Sequence, residues 1–230
     1  MKRFLSLIIY LLLCLSFGAS AFADDIEISG DFSTVGNIVT FGTYEQDNDL
    51  SNGPEPIEWI VLDVQEGKSL LLSRYALDSQ LFNEENIDVT WKDCTLRKWL
   101  NNTFLASAFS AEEQALIPTV KVSADKNPDF KTSPGKDSKD QIFLLSISEV
   151  KQYYPSEEAR QCQPTAYAEA CGCLTKNVST AETCWWTLRT VGALSNSTAD
   201  VEPDGYIRTG GCCVIVKAEG IRPALWVTLP

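Results

Sequence analysis

The sequence predicts a single α+β domain, from strand-like runs at both ends of the chain and a helical period in its middle. "NIVTFGTY", "IEWIVLDV" and "SLLLSRYAL" are short, rich in β-branched and aromatic residues, and bounded by turn-forming stretches. "CWWTLRT", "CCVIVKA" and "GIRPALWVTL" repeat that character in the last third. A chain end carrying Leu225, Trp226, Val227 and Leu229 needs cover from water, so the final strand is expected to pair with the N-terminal ones.

The opening "MKRFLSLIIYLLLCLSFGASAFA" has Lys2 and Arg3, an apolar stretch from Phe4 to Phe17, and Ala21 and Ala23 flanking Phe22. This is the pattern of a secretory signal peptide over residues 1–23, leaving one domain over residues 24–230 that is secreted, periplasmic or displayed at the cell surface. No membrane insertion is expected after cleavage. Between the first two strands, "EQDNDLSNGPEP" is an acidic loop whose carboxylates offer hard oxygen ligands. Glu66-Gly67 between two apolar runs predicts a hairpin.

In "CTLRKWLNNTFLASAF" the residues Leu96, Trp99, Leu100, Phe104 and Leu105 fall on one helical face. Ser110 and Glu113 stand in capping-box relation and start a second helix. "SADKNPDFKTSPGKDSKD" is an exposed loop, "QIFLLS" a buried strand, residues 148–154 a helix, and "PTAYAEA" a further helical turn. Asp204-Gly205 marks a hairpin turn near the end.

The chain has 31 Asp and Glu against 19 Lys and Arg, a net charge of −12, and cleavage would remove two basic residues and no acidic one. Such a surface repels phosphate backbones, which excludes a nucleic-acid partner. The absence of histidine excludes Ser-His-Asp and Cys-His catalysis and any imidazole metal ligand. Apart from Cys14, seven cysteines remain, and in an oxidising compartment Cys162, Cys171, Cys173, Cys184, Cys212 and Cys213 read as disulfide partners. A bridge from Cys162 to Cys184, or from Cys184 to another loop cysteine, would close about twenty residues and contribute about 3 kcal/mol. Neither Cys171-Gly172-Cys173 nor Cys212-Cys213 has zinc-knuckle spacing, so no metal site is assigned to them.

"PIEWIVLD", "LLSRYALD", "TWKDCTLRKWLNNTFLASAFSAEEQALIPTVKVSADKNPDF", "FLLSISEV", "CWWTLR" and "IRPALWVTL" together resemble a bacterial family of uncharacterised domains. Its members read WWLRSPG and VRPAL in the last third, and the resemblance runs from about Ile38 to Leu229. That C-terminal pattern is similar to the C-type-lectin-like fold, the scaffold of formylglycine-generating enzymes and of some receptor-binding proteins. The resemblance therefore implies a C-type-lectin-like mixed fold and no particular biochemistry. Here Arg189-Thr190-Val191-Gly192 replaces R-S-P-G, and "STADVEPDGYIRTGGCCVIV" replaces the usual glycine-rich hairpin.

The functional surface is expected in residues 186–213, with Trp186, Arg189, Asp200, Glu202, Asp204, Tyr206 and Arg208 as ligand contacts. Only one of Trp185 and Trp186 can face the core of a strand. "DVEPDG" resembles the calcium and sugar loop of C-type lectins, and Asp200, Glu202 and Asp204 offer a partial oxygen cage for calcium, although no resident cofactor is expected. The expected function is noncatalytic recognition of an extracellular protein or glycan at the bacterial envelope. The alternatives are an enzyme of the formylglycine-generating type and a structural envelope component.

Overall fold

The computed structural model describes residues 28–179 and 181–228; the expected signal peptide, its cleavage junction and Leu229 lie outside the described residues. The first third forms β1 (Ile38–Tyr44), β2 (Glu55–Gln65), β3 (Lys68–Ser73) and β4 (Asp78–Ser79). The middle holds α1 (Thr95–Trp99), a π-helical turn (Leu100–Phe104), α2 (Leu105–Ala108) and α3 (Ala111–Leu116). Then come β5 (Val120–Val122), β6 (Ser138–Asp140), β7 (Ile142–Phe143), α4 (Ile147–Tyr153), α5 (Glu157–Arg160) and α6 (Ala166–Ala170). The last third contains β8 (Thr175–Val178), β9 (Ala181–Cys184), β10 (Trp186–Val191), β11 (Ser197–Val201), β12 (Ile207–Cys213), β13 (Gly220–Ile221) and β14 (Ala224–Thr228).

The fold is α+β. One five-stranded sheet has the order β1-β2-β3-β14-β7 and a second the order β12-β11-β10-β13-β4. The final strand does pair with an early one: β14 runs antiparallel to β3, with Ala224 opposite Leu72 and Thr228 opposite Lys68. β2 shows the alternation of a half-buried strand, since Ile57, Trp59 and Val61 point into the core. Its hairpin to β3 turns at Glu66 and Gly67, whose φ angles of 50° and 76° fit the primed turn that the twist of two strands favours.

Helices and sheet meet at the bulge in β1, where the register shifts between Thr40 and Thr43. Gly42 sits there at φ +70°, and a Cβ on it would lie 2.5 Å from the Phe109 ring and 2.6 Å from the Ala108 carbonyl oxygen. Glycine thus lets the end of α2 reach the sheet. The expected capping box forms at Ser110 and Glu113, and the free Glu113 oxygen accepts the Gly42 N–H at 3.2 Å. A second box, Ser146 with Glu149, starts α4 one residue earlier than the sequence predicts.

Two expected strands are shorter than their apolar runs. Only Ile142–Phe143 of "QIFLLS" pairs, because Ser146 is already the cap of α4. "CCVIVKA" leaves its sheet at Cys213, and Ile215 and Val216 are exposed, at 41% and 39%. Hydrophobicity alone does not set strand length where no partner strand continues.

Arg189 joins β10 to α4. Its Nη2 donates to Glu149 Oε1 at 2.8 Å, Nη1 donates to the Leu144 carbonyl at 2.7 Å and to Glu149 Oε2, and Asp125 lies 3.6 Å away. Glu149 therefore caps its helix and binds the guanidinium at once. Removing one partner of such a pair strands the other charge. Arg189→Ala is expected to lose about 3 kcal/mol of unfolding free energy; an unchanged urea midpoint would show that the clamp contributes no stability.

Candidate functional site

The residues expected to bind ligand do not share one surface. Trp186 is 1% exposed; its indole N–H donates to the Arg160 carbonyl at 3.0 Å, so the choice of Trp186 over Trp185 is corrected. Trp185 is the half-exposed member of the pair, as strand alternation requires. Arg189 is buried in the clamp described above and presents no free donor face, which corrects its expected exposure. Asp204 and Tyr206 are exposed on the hairpin, where Asp204 Oδ1 accepts the Tyr206 N–H at 3.0 Å.

Asp200 points inward. Arg208 donates to it from Nε at 3.0 Å to both carboxylate oxygens and from Nη2 at 2.6 Å to Oδ2. The same Nη2 reaches buried Glu219 Oε1 at 3.4 Å, and Glu202 lies 3.8 Å from Nε. Asp200, Glu202 and Asp204 consequently meet an internal cation and a turn, and form no converging oxygen cage. Among the described residues, the acids whose oxygens do converge are Glu45, Asp47 and Glu55 of the N-terminal loop, within 4.8 Å of one another; they could hold a hard cation. Burial raises the pKa of Asp200, and burial followed by the Asp200 charge raises that of Glu219 further. A cavity of about 180 Å³ opens beside Arg208, Glu219, Trp185 and Cys212, walled mostly by apolar side chains.

The expected disulfides are absent. Cys94, Cys162, Cys171, Cys173, Cys184, Cys212 and Cys213 are all free thiols. Cys184 nevertheless lies against both Cys162 and Cys173, while Cys171 turns toward Tyr167 and Asp78. Cys212 and Cys213 sit on β12, where the Cys213 thiol is 3.4 Å from Asn86 Oδ1.

A larger groove, about 500 Å³, lies under the acidic loop and is built from elements far apart in sequence. Tyr44 comes from the end of β1, Asp78 and Gln80 from β4 and its exit, Trp99, Thr103 and Ser107 from the α1–α2 helical segment, and Tyr167 from α6. Tyr44 and Trp99 pack on Phe104, with ring centroids 5.0 Å and 5.5 Å away, and Tyr167 meets Tyr44 edge-on at 5.8 Å. At the base, the Tyr44 hydroxyl donates to Asp78 Oδ2 at 2.6 Å; Asp78 Oδ1 accepts from the Ser79 N–H at 2.6 Å and Gln80 Nε2 at 3.1 Å. Burial, then the Asp78 charge, raises the Tyr44 pKa well beyond the ordinary phenol value. Burial pushes Tyr167 up to about 12.

Sequence reasoning missed this groove because its walls come from β1, β4, the α1–α2 segment and α6, which only the tertiary fold brings together. The available signal was Trp99, which the helical period places on one face with Leu96, Leu100, Phe104 and Leu105 and which the structure leaves half-buried where the π-helical turn begins.

Raised carboxyl pKa values link stability to pH. Glu219 binds its proton more tightly folded than unfolded, so its contribution is complete below the ordinary value of 4.5 and is lost as pH rises above it. Unfolding free energy is expected to fall toward neutral pH by up to about 1.4 kcal/mol per pH unit from this group. Glu219→Gln should flatten that dependence in urea titrations at several pH values; parallel profiles for both proteins would refute the assignment.

No curated protein and no solved structure matches the chain. One family model does, described as Domain of unknown function (DUF6273), and it spans residues 66–229. That span runs from the β2–β3 turn through β14 and includes Asp78, Trp99 and Tyr167, so the chain belongs to this family.

Proposed function

We propose that the chain is an exported, noncatalytic recognition module of C-type-lectin-like character, and that its groove under the acidic loop binds a cationic group on a protein or glycan of the bacterial envelope. The observation that carries this reading is the composition of the groove. Tyr44, Trp99 and Tyr167 line the same space as the carboxyl groups of Asp78 and Glu45, and neither lysine nor arginine lines it. Aromatic faces attract ammonium and guanidinium groups by about 0.5–2 kcal/mol each. The net charge of −12 adds long-range attraction for a basic ligand.

Recognition fits these groups better than turnover. Asp78 already accepts three hydrogen bonds, and the Tyr44 proton is held too tightly to transfer near neutral pH. Export is supported by the pattern of residues 1–23, and the C-type-lectin-like reading by the C-terminal motifs.

Titrating the protein with an oligolysine peptide, followed by tryptophan fluorescence, is expected to give binding that weakens as salt is raised. Losing two aromatic contacts in Trp99→Ala/Tyr167→Ala should weaken it about tenfold or more. Asp204→Ala/Tyr206→Ala should bind like the wild type. Loss of binding in that hairpin variant alone would move the site to residues 186–213, and equal binding of a neutral oligosaccharide would remove the cationic requirement.

A further inference from the structure

Three buried thiols outside the groove form a second cluster. Cys162 precedes α6, Cys173 follows it, and Cys184 ends β9; they are 2%, 5% and 0% exposed. The Cys184 N–H donates to the Cys162 carbonyl at 2.8 Å, and the Cys184 thiol lies beside both other sulfurs. Gly220 makes the room: a Cβ there would lie 3.2 Å from Cys173 Sγ, 3.3 Å from Cys184 Sγ and 2.5 Å from Ala76 Cβ.

Beside this cluster lies a cation without a carboxylate. Arg222 is 2% exposed, and among the described residues no acid is within ion-pair distance of it. Its Nε donates to the Ser73 carbonyl at 2.8 Å, while Nη1 is buried with no hydrogen-bond partner. The guanidinium stacks 5.0 Å from the Trp186 ring and 5.5 Å from the Tyr154 ring. Cys162 Sγ and Arg222 Nη2 approach the same Arg74 carbonyl oxygen, at 3.8 and 3.5 Å. A buried, uncompensated cation is costly, and a Cys162 thiolate would balance it.

We infer that Cys162, Cys173 and Cys184 form a thiol–disulfide exchange site in which Cys184 bonds to either neighbour and Arg222 is the fixed countercharge for Cys162. The first step needs a two-electron oxidant, a small-molecule disulfide. Cys173 and Cys184 each give up a proton and an electron to it; their sulfurs join, and the small disulfide leaves as two thiols. Cys173 is the least buried of the three and precedes exposed Leu174, so the oxidant enters on its side.

The second step has no net redox change. The Cys162 thiolate attacks Cys184 Sγ, the Cys162–Cys184 bond forms, the Cys173–Cys184 bond breaks, and the electron pair leaves on Cys173, which takes a proton. Hydrogen bonding from Cys184 first, and Arg222 next, lowers Cys162 to about 7 in the reduced protein. Because Arg222 favours free Cys162 as the anion, the Cys173–Cys184 pairing is the dominant oxidised form.

The test is oxidation of the whole chain with oxidised glutathione, acid quenching over time, and peptide mapping without reduction. Both pairings of Cys184 are expected in the wild type, with Cys173–Cys184 formed first and in excess. Arg222→Gln should raise the ratio of Cys162–Cys184 to Cys173–Cys184 about tenfold, the effect of about 1.4 kcal/mol of lost anion stabilisation. Cys162→Ser should form Cys173–Cys184 alone, which keeps the test open if the Arg222 variant fails to fold. Cys184 in a single pairing throughout the wild-type time course, pairing to Cys171, Cys212 or Cys213 instead, or three thiols still alkylated after oxidation would each overturn the inference.

Discussion

Residues 220–228 cross from one five-stranded sheet to the other, and the packing of both sheets depends on where that crossing is fixed. β13 adds Gly220 and Ile221 to the second sheet, and three residues later β14 enters the first between β3 and β7. The crossing is held from one point on β3. Ser73 gives its N–H to the Pro223 carbonyl at 2.9 Å, and its own carbonyl accepts Arg222 Nε at 2.8 Å. On the far side the Gly220 N–H meets the Trp185 carbonyl at 2.7 Å, and the Ile221 carbonyl accepts the Leu77 N–H at 2.9 Å. Ser73, Leu77, Gly220, Ile221 and Pro223 are buried, so a shift of this segment would cost several unsatisfied donors and acceptors at once.

An acidic chain still has to place cations inside, and its three buried or half-buried arginines of the last third are compensated in three ways. Arg189 is met by Glu149 and Asp125, carboxylates supplied by α4 and the loop before it. Arg208 is met by Asp200 and Glu219, and burial followed by the Asp200 charge holds Glu219 well above the usual carboxyl range. Arg222 has carbonyls, two aromatic rings and a neighbouring thiol. The first arrangement is closed and suits a clamp. In the other two, proton or electron chemistry can change the local charge, which is why they yield pH and redox consequences and the first yields only stability.

Much of the scaffold was legible because its causes are local. The Glu66-Gly67 hairpin and the Ser110–Glu113 box follow from residues within one turn, and the pairing of the C-terminal strand followed from the cost of leaving Leu225 and Val227 in water. The site was less legible because its causes are not local. Strand alternation correctly required one tryptophan of Trp185-Trp186 to face outward, yet which one depends on the phase of β10 against β13 and β11, set by residues more than ten positions away. Asp200 looked like a surface acid on a hairpin; its burial is decided by Arg208 across β12 and by Glu219 in the loop before β13. The cysteine arithmetic identified Cys184 as a junction with alternative partners, and the spatial cluster gives that ambiguity a geometric origin.

The groove combines two kinds of structural support. Asp78, Trp99 and Tyr167 stand on elements of the span matched by the family model, whereas Tyr44 and the acidic loop precede it. The loop is tied back by short contacts: Glu55 Oε2 accepts the Gln46 N–H at 2.6 Å, Asp47 and Asp49 close turns on their own neighbours, and the Tyr167 N–H donates to the Gln46 carbonyl at 3.0 Å. None of these contacts reaches the core, so changes in the loop's acids can retune the rim without repacking the aromatic walls. Tyr167 also lies in the chain between Cys162 and Cys173, on the short helix that separates those thiols. One short helix, about a turn and a half long, thus joins the thiol cluster to one wall of the groove, so the two features share a single segment of the scaffold.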